Sequence, residues 1–307
     1  MSDPRHYRSA ANDELGVDSA EFDNPNYSEI YLDLLKSALC ASLYDESAWR
    51  IVEGPMRQHI ASAHIPGKLI AAAKHAFLNF LRANNLSLVR MFPFDAKIRA
   101  SGLDWPLFGF TMTGRKRLDA LHACINEILK VGIPGDFIET GVWRGGASIY
   151  ARAVMKANGA TDRTVWVADS FEGLPKPDAA KYPADSGDRH FFIPELAIAI
   201  EQVQANFRTF NLLDNQVQFL KGWFKDTLPK APIKKLAVAR LDGDLYESTM
   251  DALVNLYPKL SAGGYLIVDD YGAVPACKKA IHDYRDANGI KDPLQEIDVA
   301  GVFWQKK

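Results

Sequence analysis

Strands and helices alternate from residue 135 to the end of the 307-residue chain, and this alternation constrains the fold more than any other feature. Short apolar runs between amphipathic stretches are typical of strands buried on both faces of a sheet. The predicted strands cover residues 137–140, 165–168, 217–220, 236–239 and 264–268, and the predicted helices cover 114–130, 147–157, 194–210 and 275–288. This order predicts an α/β fold with a Rossmann-like, doubly wound, mostly parallel sheet.

The last two predicted strands, 295–297 and 302–304, have no helix between them. Parallel neighbours need a long crossover connection, whereas antiparallel neighbours can be joined by a short turn. We therefore expect an antiparallel hairpin at the C-terminal edge of the sheet.

The first third of the chain has a different pattern. Residues 1–27 contain few apolar anchors and are predicted to form a flexible N-terminal arm. Residues 28–110 are predicted to form a helical extension or lid, with one helix over 28–44 capped by Ser28 and another over 68–83. This extension could be a subdomain, a lid or a dimerisation surface, and the sequence does not choose among them.

Carboxylates follow two of the predicted strands at the point where each strand ends. Asp242 and Asp244 come after one strand, and Asp269 and Asp270 come after the next. Ligands of open α/β sheets bind at the carboxyl ends of the strands, so these side chains would meet at one edge. Clustered carboxylates require a cation, and an all-oxygen set suits Mg2+. The alternative is that the aspartates cap the following helices; two matched junctions favour the metal.

A glycine-rich turn follows the first predicted strand of the alternating region. Gly141 and Gly145 lie in it, and Asp169 ends the next strand. Glycine lets the backbone approach a ligand closely, and a carboxylate placed like Asp169 accepts the hydroxyls of a ribose. The spacing is not G-x-G-x-x-G, which favours an adenosyl ligand over a dinucleotide. Helix packing by Gly141 and a turn cap by Asp169 are the structural alternatives.

Composition excludes several classes of function. The net charge is −2 and the sequence pI is about 6.4, so no global field attracts nucleic acid or an anionic membrane. No apolar run approaches the roughly 20 residues that span a bilayer. The N-terminus is polar, unlike a secretory signal, and the odd number of scattered cysteines favours a reducing compartment. We expect a cytoplasmic protein with no nucleic-acid or membrane partner.

Several ordered motifs between residues 110 and 307 identify a family resemblance. They are GDFIETGVWRGGAS (135–148), ADSFEGLP (168–175), FLKGWFKDTLP (219–229), RLDGDLYESTMDAL (240–253), GGYLIVDDYG (263–272) and PACKKAIHDYR (275–285). The chain resembles the macrocin O-methyltransferase (TylF/MycF-like) family. That resemblance implies a class I methyltransferase fold over residues 111–307 and S-adenosylmethionine as the methyl donor.

The resemblance also implies a role for particular residues along the cofactor. Glu139, Gly141 and Gly145 would line its methionine end, with Thr111 and Met112 closing over it.

At the other end of the cofactor, the resemblance places Asp169 and Ser170 on the ribose, and Gly222 and Trp223 beside the adenine. Core packing is an equal alternative for Trp223.

The Mg2+ ligands implied by the resemblance are Asp242, Asp269 and Asp270. Catechol-type O-methyltransferases space their acidic ligands similarly and place a lysine base three residues after the first one. Leu245 stands at that position here, so the lysine mechanism does not carry over.

These inferences predict a Mg2+-dependent O-methyltransferase of antibiotic-type secondary metabolism, acting on a hydroxyl of a glycosylated or polyol natural product. Asp242 is predicted to be both metal ligand and general base. The long, proline-containing loop over 176–194 is predicted to cover the site. Its polar residues, Asp185, Asp188, Arg189 and His190, could contact the acceptor or order the loop.

The predicted partner is a small hydroxylated acceptor carrying a sugar, and a homodimer is expected. Two other functions remain open at this point. One is a metal-dependent methyltransferase that acts on a phenolic, catechol or nitrogen acceptor, because it would share the fold and the cofactor. The other is a non-catalytic nucleoside-binding protein, although a pure binder has no use for three clustered carboxylates.

Overall fold

A seven-stranded sheet carries helices on both faces, and a separate pair of strands lies near the N-terminus. The structure is a computed structural model that describes residues 26–44, 47–51, 76, 77, 79–81, 83, 84, 86 and 89–307. The predicted N-terminal arm lies outside the described residues except for Asn26 and Tyr27. Most of the predicted helix over 68–83 also lies outside them.

The elements within the described residues have the following bounds. The helices are α1 (Tyr27–Leu39), α2 (Ala96–Ala100), α3 (Gly114–Val131), α4 (Gly146–Ala157), α5 (Ile200–Thr209), α6 (Phe224–Thr227), α7 (Tyr246–Leu256) and α8 (Pro275–Ala287). The strands are β1 (Ala48–Ile51), β2 (Val89–Phe92), β3 (Asp136–Thr140), β4 (Val165–Asp169), β5 (Val217–Lys221), β6 (Leu236–Leu241), β7 (Leu260–Val268), β8 (Gln295–Glu296) and β9 (Val302–Gln305).

The strand order of the large sheet is β5-β4-β3-β6-β7-β9-β8. The first five strands in this order are parallel, whereas β9 is antiparallel to both β7 and β8. The doubly wound parallel sheet and its antiparallel C-terminal edge hairpin are therefore confirmed. In the predicted N-terminal extension, β1 and β2 form an antiparallel pair, so its described part is not wholly helical.

Backbone hydrogen bonds continue the sheet one residue beyond the strands. The amide of Gly141 donates to a carbonyl of β4, that of Asp242 to β3, and that of Asp269 to β6, each at 2.9 Å. The residues that follow β3, β6 and β7 consequently lie side by side at the carboxyl edge. This alignment fixes where a site can form.

Two apolar cores lie on opposite faces of the sheet. On one face α1, α3 and α4 pack together, and on the other α7 and α8 pack with the edge strand β9. Leu32, Leu35 and Leu39 of α1 are at most 5% exposed and belong to the first core. Because burial of one such side chain contributes roughly 1.5–3 kcal/mol, α1 is held against the seven-stranded sheet and shares its core.

Three helix boundaries differ from the sequence prediction. The N-cap of α1 is Asn26, whose side chain accepts a hydrogen bond from the amide of Glu29, and not Ser28. The same helix was predicted to reach residue 44 but ends at Leu39. The predicted helix over 194–210 begins only at Ile200, because Pro194–Leu196 forms a short 3₁₀ turn and extended residues follow it. The two N-terminal differences arise where a capping residue or a proline competes with the apolar period.

Cys40, Cys124 and Cys277 are buried and have free thiols. Within the part of the chain that the structure describes, no helix has the length and apolarity needed to cross a membrane.

Gly141 provides a test of the close approach of β3 and β6. Its φ is +83°, and a Cβ atom there would lie 1.7 Å from the backbone oxygen of Asp242. Because a left-handed residue costs about 1–2 kcal/mol and overpacking a further 1–3, Gly141→Ala should lower the free energy of unfolding by about 3 kcal/mol. Urea denaturation followed by circular dichroism measures this loss.

Gly159→Ala is the matched control, since Gly159 has φ +68° but no atom within 4 Å of the added Cβ. It should cost about 1 kcal/mol, the conformational part alone. Equal losses for the two variants would show that the strand approach at Gly141 is not the constraint.

Candidate active site

The turn between β3 and α4 combines three residues with left-handed backbone. Gly141, Trp143 and Gly145 have φ of +83°, +47° and +87°. The turn is held from outside because the amide of Gly146 donates to the carbonyl of Phe110 at 2.9 Å. The segment that precedes α3, which contains Thr111 and Met112, is thereby packed onto the glycine turn.

Asp169, at the end of β4, ties neighbouring turns together. Its Oδ2 accepts from the amide of Val142 at 2.8 Å, and its Oδ1 accepts from the amide of Phe171 at 2.7 Å. The amide of Gly222 donates to the backbone oxygen of Asp169 at 2.9 Å. Burial raises the pKa of Asp169, and these amide hydrogen bonds oppose that shift. The carboxylate is therefore a fixed acceptor at the edge of the sheet.

A cleft of about 1150 Å³, including its solvent-open part, runs along this edge. Residues predicted for the cofactor or the chemistry line it: Met112, Gly141, Asp169, Ser170, Trp223 and Asp242. Trp223 lies in the cleft wall and is not among the buried core residues. Gly141 of the glycine turn, Asp169 and the predicted base Asp242 thus line one cavity.

The other predicted cofactor residues do not line this cleft. Glu139 is 1% exposed and is bonded to Ser148 and Arg240, whereas Thr111 is buried with its hydroxyl accepting from the amide of Thr113. Gly145 packs against α5, and the amide of Gly222, in the turn after β5, donates to the backbone oxygen of Asp169.

The three predicted metal ligands are brought together by β6 and β7. Carboxylate oxygens of Asp242, Asp269 and Asp270 all lie within 4.8 Å of one another. Asp244 belongs to the same loop: its φ is +56° and its amide donates to Asp270 Oδ2 at 3.2 Å. The spacing of strand ends in the sequence therefore predicted a real cluster.

A buried guanidinium lies against this cluster, at the end of β6. Arg240 is 1% exposed and is paired with Glu139 of β3. Its Nη1 lies 2.9 Å from Asp242 Oδ2, and its Nη2 lies 2.6 Å from Asp269 Oδ1. Nη2 also donates to Thr113 Oγ1 at 2.7 Å. One side chain thus joins the ends of β3, β6 and β7 to the start of α3.

A second guanidinium reaches the cluster from α3. Arg117 Nη1 donates to Asp269 Oδ2 at 2.5 Å, and both side chains are 6% exposed. On the other oxygen, the contact of Asp269 Oδ1 with Arg240 lacks hydrogen-bond geometry, so this buried oxygen has no hydrogen bond to any residue that the structure describes. Asp269 therefore keeps acceptor capacity toward the cluster.

The electrostatics of the cluster favour an additional cation. Burial, with repulsion from Asp269, raises the pKa of Asp242 to about 7 in spite of Arg240. Burial and Asp244 likewise raise the pKa of Asp270 well above its usual value. Carboxyl groups with such raised pKa values retain protons, and a bound divalent ion can replace those protons and balance the negative charge. An all-oxygen donor set with an unsatisfied buried oxygen fits Mg2+.

The long loop after β4 is attached to α7 by a buried carboxylate. Asp185 is 1% exposed, and its oxygens accept from the amides of Tyr246 at 2.6 Å and Glu247 at 3.1 Å. These are first-turn amides of α7, whose own N-cap, Leu245, makes no side-chain cap. Of the two roles predicted for Asp185, the structure supports ordering of the loop.

His190 and Asp188 form a pair within the same loop. His190 Nδ1 lies 2.6 Å from Asp188 Oδ2, and the His190 amide donates to Asp188 Oδ1 at 2.9 Å. The hydrogen bond with Asp188 raises the pKa of His190, and the charge of Asp244 adds to the shift. Arg189 is exposed. Leu174, Pro175, Lys176 and Asp178 of the loop line the cleft.

Sequence reasoning missed the two arginines and Trp143. Arg117 lies on a helix that the sequence identifies only by its apolar face. Its partner Asp269 is 152 residues away in the chain, so no local pattern indicates the contact. Arg240 follows the apolar run of β6, and its unusual position in a buried strand was the only available signal. Trp143 lines the cleft, and its indole Nε1 donates to the Glu195 carbonyl at 2.9 Å.

Comparison with known proteins agrees with this geometry. The sequence profile of the family described as Macrocin-O-methyltransferase (TylF) matches residues 28–306. The solved structure of the O-methyltransferase NovP superposes with a TM-score of 0.76 at 42% identity, covering 91% of this chain and 99% of that one. The class I methyltransferase fold is thereby confirmed.

Two curated enzymes are similar in sequence. One is 8-demethyl-8-(2,3-dimethoxy-alpha-L-rhamnosyl)-tetracenomycin-C 4'-O-methyltransferase of Streptomyces olivaceus, 58% identical over 69% of this chain and 81% of its own length. The other is mycinamicin III 3''-O-methyltransferase of Micromonospora griseorubida, 43% identical over 91% of this chain and 96% of its own.

The raised pKa of Asp242 gives a pH dependence whose sign can be tested. Between its usual value of 3.8 and about 7, the folded protein holds a proton that the unfolded chain has released. In EDTA, the unsubstituted protein should therefore lose stability relative to Asp242→Asn as the pH rises from about 4 to about 7, and the difference should level off above that. Urea unfolding at a series of pH values measures it. A pH-independent difference would contradict the shift.

Proposed function

Because the chain belongs to the TylF macrocin O-methyltransferase family, an S-adenosylmethionine-dependent family, we propose that it methylates a sugar hydroxyl of a glycosylated natural product, with Mg2+ as second cofactor. The two curated relatives carry names of enzymes that methylate sugar positions, 4' in one and 3'' in the other. Since those positions differ, the class of acceptor carries over and the individual hydroxyl does not.

One observation carries the proposal: Asp242 belongs to the cofactor cleft and to the acidic cluster at once. A hydroxyl placed beside Asp242 would therefore be within reach of a methyl donor in the cleft and of a metal ion in the acidic cluster. This is the arrangement that metal-assisted methyl transfer to an alcohol needs, because such a transfer is an in-line displacement that depends on positioning.

The residues proposed to hold the two cofactors divide the cleft. Asp242, Asp269 and Asp270 would hold Mg2+ through carboxylate oxygens. Gly141 and Met112 would lie at the methionine end of S-adenosylmethionine. When bound, S-adenosylmethionine supplies an electrophilic methyl group on sulfur, and Mg2+ supplies positive charge beside the acceptor hydroxyl.

The rest of the cofactor would lie along the strand ends. Asp169 is held in place by two backbone amides, which leaves its carboxylate ready to accept ribose hydroxyls together with Ser170. Trp223 would lie against the adenine, with Phe224 next to it in the same wall. Glu139 would contribute indirectly, because its ion pair with Arg240 holds that side chain in place.

Asp242 is proposed to act as the base. Its side chain is 29% exposed and lines the cleft, so a carboxylate oxygen can reach an acceptor hydroxyl placed there. A carboxylate oxygen of Asp242 would take the proton of the acceptor hydroxyl as that oxygen bonds to the methyl carbon. S-adenosylmethionine would supply the methyl group, and its sulfur would keep the electron pair of the broken carbon–sulfur bond in S-adenosylhomocysteine.

The acceptor would enter under the loop over 176–194. Leu174 and Pro175 offer apolar surface, and Lys176 and Asp178 offer polar contacts, so a glycoside with an apolar aglycone suits this wall.

We further propose a homodimer, in which the exposed side chains of Tyr27, Ile30 and Leu34 on α1 are covered.

The acceptor class is tested by direct assay. Methyl transfer from radiolabelled S-adenosylmethionine should occur to glycosides with a vicinal diol, should stop in EDTA and should return with Mg2+. Transfer to catechols with no transfer to glycosides would establish the phenolic alternative. Binding of S-adenosylmethionine without transfer to either would favour a nucleoside-binding protein.

The assignment of the base is tested by a matched pair of variants. Asp242→Asn should lower kcat by at least about 100-fold, because a positioned base contributes typically 10²–10⁴-fold. Affinity for S-adenosylmethionine, measured by isothermal titration calorimetry, should stay unchanged.

Asp244→Asn is the matched change in the same loop, and it preserves the backbone bond to Asp270. It should reduce kcat far less. If Asp244→Asn instead abolishes turnover while Asp242→Asn retains it, the base is Asp244 and the proposed role of Asp242 is wrong.

A further inference from the structure

The turn of the edge hairpin, between β8 and β9, is built around one carboxylate. Asp298 Oδ1 accepts from the amides of Ala300 at 2.9 Å and Gly301 at 2.7 Å, and the side chain is 2% exposed. Burial would raise the pKa of Asp298, but those amides and Arg117 outweigh it and the pKa is lowered. Asp298 is therefore an ionised, fixed group at the far edge of the sheet.

Arg117 connects this turn to the acidic cluster. Its Nε donates to Asp298 Oδ2 at 2.9 Å, and its Nη1 donates to Asp269 Oδ2 at 2.5 Å. A Cβ atom on Gly301 would lie 3.1 Å from Arg117 Cδ, so the turn also packs against the stem of the arginine. The guanidinium bridges two buried carboxylates, and its planar arrangement of donors fixes the distance between them.

A second contact joins the same turn to the residues after Asp270. The amide of Gly272 donates to the carbonyl of Ala300 at 2.8 Å. The approach is close, since a Cβ on Gly272 would lie 2.0 Å from the carbonyl oxygen of Val299. The loop that carries Asp269 and Asp270 is thus held by the hairpin turn at two points, one through Arg117 and one through the backbone.

We propose that Arg117 and Asp298 are positioning residues that hold Asp269 in the orientation required for Mg2+ binding. The inference rests on the proposed magnesium site. Three carboxylates at the spacing of the cluster repel one another and would turn apart unless each is held. Groups that bond to metal ligands orient them, and their loss typically reduces metal affinity 10–100-fold. The edge hairpin is thereby part of the site, although none of its residues lines the cleft.

Arg117 differs in this respect from Arg240. Arg240 contacts Asp242, Glu139 and Thr113 as well as Asp269, so its replacement would disturb several strand ends at once. Arg117 contacts only Asp269 within the cluster, and Asp298 contacts none of its members directly. Substitutions at these two positions therefore separate orientation of the ligand from general disruption.

The test is calorimetric titration of Mg2+ into the full-length protein saturated with S-adenosylhomocysteine. Arg117→Met and Asp298→Asn should each raise the Kd for Mg2+ by about 10–100-fold, and leave the affinity for S-adenosylhomocysteine unchanged. Arg117→Lys should give an intermediate Kd, because an ammonium group cannot span both carboxylates in fork geometry.

Arg152→Met is the control for loss of a buried arginine. Arg152 is 4% exposed and pairs with Asp214 at 2.7 Å, away from the cleft. It should lower thermal stability without changing the Kd for Mg2+. If Arg117→Met does not fold, the Kd of Asp298→Asn for Mg2+ tests the proposal, because that change removes one charge and keeps the side-chain shape.

The outcomes separate the two proposals. Unchanged Mg2+ affinity in Arg117→Met and Asp298→Asn, or an equal loss of S-adenosylhomocysteine affinity, would overturn the positioning role alone. Failure of the unsubstituted protein to bind Mg2+ would overturn the magnesium site and, with it, this inference.

Discussion

A buried guanidinium surrounded by carboxylates is the interaction on which the arrangement of the site depends. Taking Arg240 and its partners out of water costs several kcal/mol per ion, which only close and numerous opposite charges offset. Those charges come from different elements: Glu139 from β3, Asp242 from β6 and Asp269 from β7. Because one side chain forms ion pairs with all three, the strand ends cannot shift independently without leaving a charge unpaired.

The same constraint explains why the cofactor side and the metal side of the cleft are a single unit. Glu139 stands at the start of the glycine turn, and Thr113 begins the helix that follows Met112. Contacts of Arg240 therefore link the proposed methionine end of the cofactor to the acidic cluster. Glu139 was predicted to line the methionine end of the cofactor; in the structure it is buried and bonded to Ser148 and Arg240.

The sequence predicted those features that depend on residues close together in the chain. Apolar runs gave the strands of the parallel sheet, the missing helix gave the edge hairpin, and strand-end aspartates gave the cluster of Asp242, Asp269 and Asp270. The partners of that cluster could not be found in this way. Arg240 meets Glu139 across 101 residues and Arg117 meets Asp298 across 181, and no period or spacing encodes such pairs. On α1, Ile30 and Leu34 share the apolar period with Leu35 yet are more than half exposed, because the period does not say which side a core covers.

The carboxylate of Asp185 has a consequence for redesign of this enzyme. It closes the first turn of α7 from a segment 61 residues earlier in the chain, and α7 starts directly after the loop that carries Asp242 and Asp244. Exchanging the loop over 176–194 with that of another family member, in order to change the acceptor, would remove a helix cap along with part of the cleft wall. A chimera would keep its catalytic end intact only if the grafted segment brings an aspartate, asparagine or serine to the same place.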